Sequence, residues 1–349
     1  MKDLSLIKPS DKYYSQLAHQ KWNSVAKPLG SLGVFEEMIE RIAAVQKTAD
    51  VDISKRTIVV MCADNGVTAE GVTQTDSEVT ALCAEAIGRG TSNINALARL
   101  YNADVRAVDI GIAREMNSPY IIDKKIAFGT GNIAKGPAMA REQAEAATKK
   151  GIDMVAELRE EGSRLIVTGE MGIGNTTTSS AVSSVLLGIP HEDVTGRGAG
   201  LSDEGLVRKI RAVKSAIEVN CPDPDDPIDV LSKVGGFDIA GMTGLFLGGA
   251  LYGVPVVIDG VISAVAAVLA FRMAPACADY MLPSHVSDEP AGKLLLDELG
   301  LRAPLCAGMR LGEGTGGAML LPLLDGVLSV YNSAHSFDEL GIERYVEQN

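Results

Sequence analysis

The chain has 349 residues, enough to bury one large core or two, and its 46% hydrophobic content with 37 glycines and 4% aromatics suits strand and helix layers packed through small side chains. A formal net charge of −13 leaves no basic footprint, which argues against nucleic acid or an anionic membrane surface as partner. Cys62, Cys83, Cys221, Cys277 and Cys306 form no CxxC pair and read as buried thiols of a reducing cytoplasm, and the opening residues hold no apolar signal core, so a cytoplasmic location is expected.

Residues 1–50 read as helical and peripheral, with Tyr13, Leu17 and Trp22 among polar positions. Lys27, Pro28, Gly30 and Gly33 shape a loop that reads as a connector, with Lys27 its one side chain that could face a site. The first convincing core strand spans 57–61 and ends at Asp64 and Asn65. After a long loop, Val79, Leu82, Cys83, Ala86 and Ile87 follow helical spacing. A second strand over 105–110 ends at Asp109, and a polar helix is predicted over 138–158.

The apolar run 165–167 has strand length and stops at Gly169. Glu170, Met171, Gly172 and Gly174 follow, then a polar stretch and a helix carrying Ala181, Val182, Val185 and Leu186. Strand, glycine turn and helix in this order present free backbone N–H groups and a helix dipole to an anion. Gly172 and Gly174 would let the backbone approach a phosphate, while Asn175, Thr176 and Thr177 add side-chain donors. Glu170 beside such a cradle is repulsive unless it has another task. An ordinary strand-to-helix turn without a ligand fits the local pattern equally well.

A second glycine loop, 196–200, leads to a helix with Ser202 as N-cap and Leu206, Ile210, Val213 and Ile217 as its apolar stripe, Lys209 lying at the stripe's edge. Residues 239–258 carry no charge but contain five glycines and Pro255, so they read as a buried helix, a turn and a buried strand rather than a membrane span. A last strand is expected over 279–282, with Ser284 and Ser287 behind it. Glu313, between Gly312 and Gly314, precedes an apolar helix over 319–327. Alternating strands and helices with continuous apolar strands predict an α/β fold with a parallel, two-sided sheet.

Asp64, Asp109, Glu170, Asp259 and Ser284 each close a predicted strand, and ligands of open α/β sheets bind outside those ends. Each alone reads as a cap or loop anchor; their convergence on one rim argues for a site. The GxGxxG match at 312–317 follows no convincing strand, no GxxxxGK[ST] or GxSxG occurs, and four isolated histidines give no metal site. Glu313 sits on backbone able to approach a ligand and is the candidate general base, unless it merely favours the positive end of the helix that follows it.

Taken together, the motifs at 27–32, 169–177, 196–200, 236–241, 259–260 and 312–316 resemble the nicotinate-nucleotide:dimethylbenzimidazole phosphoribosyltransferase family over nearly the whole chain. The resemblance implies a Rossmann-like, mostly parallel sheet with helices on both faces over 45–325. It also implies a small helical domain from 1–44 and 326–349, and a homodimer, with a heterodimer of paralogous subunits as the variant. The implied reaction moves ribose 5-phosphate from nicotinate mononucleotide to 5,6-dimethylbenzimidazole or a similar base, with inversion and without cofactor or metal. By the same resemblance Glu313 falls at the general base and Glu170 at a second acid that steadies charge on the ribose carbon. Gly174, Asn175, Thr176, Gly198, Lys209 and Ser287 fall around the nucleotide's ribose and phosphate, with Gly172 in the same turn. Val79, Leu82, Cys83 and Met171 are expected to line or border an apolar slot for the acceptor base.

The chain departs from the family pattern at Asn65, where histidine is frequent, and at Gln74, Thr75 and Asp76, where an aromatic-proline pair is frequent. These changes leave the acceptor open. Relatives that pair as two different subunits activate phenols, whose proton Glu313 would equally take. A non-catalytic partner subunit is the rival from another class, and the presence of both glutamates argues against it.

Overall fold

Strand β1 (Arg56–Ala63) lies near the middle of a six-stranded, all-parallel sheet with β2 (Ala103–Gly111), β3 (Ile121–Asp123), β4 (Leu165–Met171), β5 (Val256–Ile258) and β6 (Met281–Pro283), ordered β3-β2-β1-β4-β5-β6. The computed structural model describes residues 3–346; residues 1–2 and 347–349, the outer ends of the expected helical domain, lie outside the described residues. Side chains of β1 alternate between two cores: Val59, Met61 and Ala63 join one, Ile58, Val60 and Cys62 the other. Burial on both faces is why the central strands read as unbroken apolar runs.

One face is covered by Arg141–Glu160, Phe237–Tyr252 and Val261–Met273. The other is covered by Val34–Gln46, Glu78–Gly88, Asn93–Leu100 and Thr315–Ser333. Residues from both ends of the chain meet there. Trp22, wholly buried, packs on Tyr331 with ring centroids 4.7 Å apart, and Val25 bridges Ser336. Lys27 turns into this cluster, pairing with Glu36 at 2.6 Å beneath the Trp22 ring.

Several expectations shift. The edge strand β3 is too short to show a pattern, and the last strand begins only at Met281 because Pro275–Tyr280 winds into a 3-10 turn. The uncharged stretch 239–258 forms the rest of the helix Phe237–Tyr252, a left-handed Gly253 and β5. Among the described residues no helix is long and apolar enough to cross a membrane. Only Cys62 and Cys277 are buried; Cys221 and Cys306 are exposed, because the turns that carry them lie on the surface.

The strand order reverses between β1 and β4: the chain leaves β1 toward β2 and β3, then returns on the other side through β4, β5 and β6. Such a switch point opens a crevice at the carboxyl ends of the strands.

Candidate active site

Glu170 and Met171 end β4, in register with Met61 and Cys62 of β1, and look into a cavity of about 210 Å³ at this crevice. Asn175, Thr176, Gly198, Ser287 and Glu313 line it as well. Gly172 shares it, whereas Gly174 lines an adjoining cavity with Thr73 and Gln74. The turn at Gly174 has φ +95° and starts the helix Asn175–Leu187.

The base loop is shaped by close approach. Gly312, Glu313 and Gly314 are all left-handed, with φ of +86°, +61° and +88°. A non-glycine residue there is uncommon and costs about 1 kcal/mol or more, so surrounding contacts must hold it. Asp259 does so from the end of β5: its Oδ2 accepts from Gly314 N at 3.1 Å and its Oδ1 from Gly317 N at 2.9 Å. Gly169 lets the loop rest on β4, since a Cβ there would lie 2.7 Å from the Glu313 carbonyl oxygen. Gly312 in turn packs on Glu170, its own Cβ position being 2.5 Å from Oε1.

Glu313 is half-buried, and its carboxylate does not cap the helix that follows it. Its Oε2 accepts from Ile94 N at 3.3 Å and its Oε1 from Asn93 Nδ2 at 3.4 Å, at the start of Asn93–Leu100. A carboxylate on a helix N-terminus is favourably placed, and these long contacts leave it facing the cavity.

Glu170 is buried in a network. Asn175 Nδ2 donates to Glu170 Oε2 and, at 3.0 Å, to Asp238 Oδ2. Burial first, then the Asp238 charge, pushes Glu170 from the ordinary 4.5 up to about 8, against the Asn175 hydrogen bond. Burial likewise raises Asp238 to about 6.

Lys209, expected at a stripe's edge, is 0% exposed and lies beneath the two glycine loops. Its Nζ donates to Thr176 Oγ1 and to the Gly196 carbonyl, each at 2.9 Å. Burial pushes it down to about 8, partly offset by Glu289.

The remaining candidates separate. Cys83 is half-buried, and burial together with the nearby Glu313 charge raises its thiol. Val79 is half-buried and does not line the cavity. Leu82 is 65% exposed and lines a hollow with Arg114 and Met116, whereas Met171 lines the cavity beside Glu170. The helical stripe through residues 79–87 could not say which flank the sheet covers.

Of the strand-end residues, Asp64 accepts from Ala113 N at 2.8 Å and Asp109 from Ile112 N at 3.0 Å, both anchoring loops. Ser284 donates to the Asp259 carbonyl at 2.9 Å. Asp238 enters the sequence reading only within the motif 236–241, and His285 and Glu289 carry no expectation there as site residues. Asp238 and Glu289 each resemble an ordinary acid near a helix start, and only their neighbours across the fold give them weight.

A switch-point crevice lined by Glu170, Glu313, Asp259 and Glu289, with a buried lysine beneath its glycine loops, suits transfer of a phosphate-bearing group. A family model described as phosphoribosyltransferase matches residues 7–342. The nicotinate-nucleotide–dimethylbenzimidazole phosphoribosyltransferase of Ruminiclostridium cellulolyticum is 46% identical over 330 residues, covering 95% of this chain and 94% of its own. Its namesake from Acetivibrio thermocellus is 46% identical over 332 residues, covering 95% of each. A crystal structure of the Thermus thermophilus protein of that name aligns with TM-score 0.89 at 36% identity, covering 96% of this chain and all of that one. The chain belongs to the nicotinate-nucleotide–dimethylbenzimidazole phosphoribosyltransferase family of enzymes.

Proposed function

We propose that the chain transfers ribose 5-phosphate from nicotinate mononucleotide to 5,6-dimethylbenzimidazole or a similar base, giving an α-ribazole-type phosphate for cobamide assembly. The observation that carries this reading is that Glu170 and Glu313 line one cavity that also reaches Gly198 and Ser287. The 5′-phosphate would lie among Gly172, Gly174, Thr176, Gly198 and Ser287, above Lys209, with Asn175 holding the acid beneath the ribose.

One base nitrogen attacks the anomeric carbon while its bond to the pyridinium nitrogen breaks. The bonding pair returns to that ring, and nicotinate leaves without a general acid. Glu313 takes the proton from the other base nitrogen. Glu170, once ionised, steadies the positive charge that develops on the ribose carbon. The named relatives act on dimethylbenzimidazole, which favours a benzimidazole over the phenol-activating or non-catalytic alternatives.

The two chain ends are read as one small helical domain (1–44 and 326–349) against an α/β domain (45–325), and the working state as a cytoplasmic homodimer. Incubation with nicotinate mononucleotide and a mixed panel of benzimidazoles and phenols, read by mass spectrometry, tests the reaction. A benzimidazole riboside phosphate is the expected product, and its absence would overturn the assignment.

Lys209→Ala is expected to raise the Michaelis constant for nicotinate mononucleotide by about 10- to 100-fold, the worth of a charged hydrogen bond, while sparing that of the base. An unchanged nucleotide constant would remove Lys209 from the phosphate site. For the acceptor, Met171→Ala should shift relative rates among differently methylated benzimidazoles by about tenfold, since one methyl in an apolar pocket discriminates by ~1–3 kcal/mol. Leu82→Gln, on the outer flank, should leave that preference alone. Competition between paired bases measures both, and the reverse pattern would move the slot to the other side of the helix Glu78–Gly88.

A further inference from the structure

Glu289 reaches into the place assigned to the phosphate. Its Oε1 accepts from Gly198 N at 3.0 Å, and it lines the same cavity as Glu170 and Ser287. The Gly198 backbone sits directly over the lysine: a Cβ there would lie 2.8 Å from Thr176 Oγ1 and 3.3 Å from Lys209 Nζ. On the other side, a Cβ on Gly196 would collide with Glu289 Oε2. The first half of this glycine loop thus closes around the carboxylate. Among the described residues Lys209 has no carboxylate within ion-pair distance, so Glu289 compensates its charge from farther away.

A backbone N–H above a buried ammonium is what a phosphate monoester uses, and here one of those donors is already taken by a carboxylate. We propose that Glu289 is a built-in occupant of the phosphate site, holding the Gly198 N–H in the free protein and yielding it when the nucleotide's 5′-phosphate binds. This rests on the nucleotide reading given above. A carboxylate beside a phosphate dianion is repulsive, so Glu289 lowers affinity for every phosphorylated ligand. The product keeps the 5′-phosphate, and the same repulsion therefore favours its release.

Glu289→Gln removes the charge and keeps the shape; Glu289→Ala frees the Gly198 N–H entirely. Calorimetric titration with nicotinate mononucleotide should show tighter binding to both variants, by about tenfold. Inorganic phosphate, as an inhibitor competing with the nucleotide, should gain by a similar factor. Nicotinate riboside, which lacks the phosphate, should bind as to the unmodified protein. Unchanged or weaker nucleotide binding in both variants overturns the proposal, and so does parallel weakening of nucleotide and riboside, which would put Glu289 on the ribose. Lys209→Ala, titrated alongside, separates the two levels. If it leaves nucleotide affinity intact, the phosphate site itself is misassigned; if it weakens binding while the Glu289 variants bring no gain, only the role of Glu289 fails.

Discussion

Glu313→Gln is expected to lower kcat by about 10²–10⁴, the usual worth of a general base, with little change in nucleotide affinity. Glutamine matches glutamate in size, so it should tolerate the same backbone at φ +61°, and its amide oxygen can still accept from Ile94 N. What it cannot do is take the proton from the attacking base. The phosphate-binding residues are untouched, so calorimetric nucleotide titration should match the unmodified protein while steady-state turnover collapses. Near-normal turnover would remove Glu313 from the proton transfer.

Glu170→Gln should cost about 10²–10³ in kcat, the range seen when one group that stabilises transition-state charge is removed. Its pH dependence is the sharper test. With Glu170 at about 8, the free protein holds this acid mostly protonated at neutral pH, and the pyridinium cation of the nucleotide favours its ionisation. Lys209, also at about 8, loses its proton over the same range and with it the phosphate contact. The kcat/KM profile should therefore peak narrowly near pH 8, rising as Glu170 ionises and falling as Lys209 is neutralised. In Glu170→Gln the rising limb should vanish while the falling limb stays; a rising limb that persists there belongs to another group.

Stability carries the same signature. Between the ordinary value of 4.5 and about 8, folded Glu170 keeps a proton that the unfolded chain has lost, so its contribution favours the fold at low pH and is lost as pH rises through that window. Thermal melts of Glu170→Gln should gain on the unmodified protein as pH rises across this window, and a constant difference would mean the acid is not titrating there.

The layered α/β fold is written in the alternation of apolar strands and helices along the chain. β1, β4 and β5 are legible because burial on both faces demands apolar residues in sequence, and β2 through its buried second half. Gly172, Gly174, Gly312 and Gly314 mark where the backbone must turn, and Glu170 and Glu313 stand out because acids seldom interrupt such loops without a task. The remainder depends on contacts between distant elements. Periodicity set Lys209 at the margin of a stripe, and only the glycine loops folded over it bury it completely. Leu82 and Cys83 are adjacent on one helix, yet Leu82 faces outward while Cys83 senses Glu313. Glu313 meets a helix start far earlier in the chain rather than its own, Asp238 and Glu170 share the Asn175 amide, and Glu289 closes on Gly198 from a separate element. Local spacing records which side of an element is apolar; which distant element comes to cover that side is settled by the packing of the whole sheet, and no single stretch of sequence contains it.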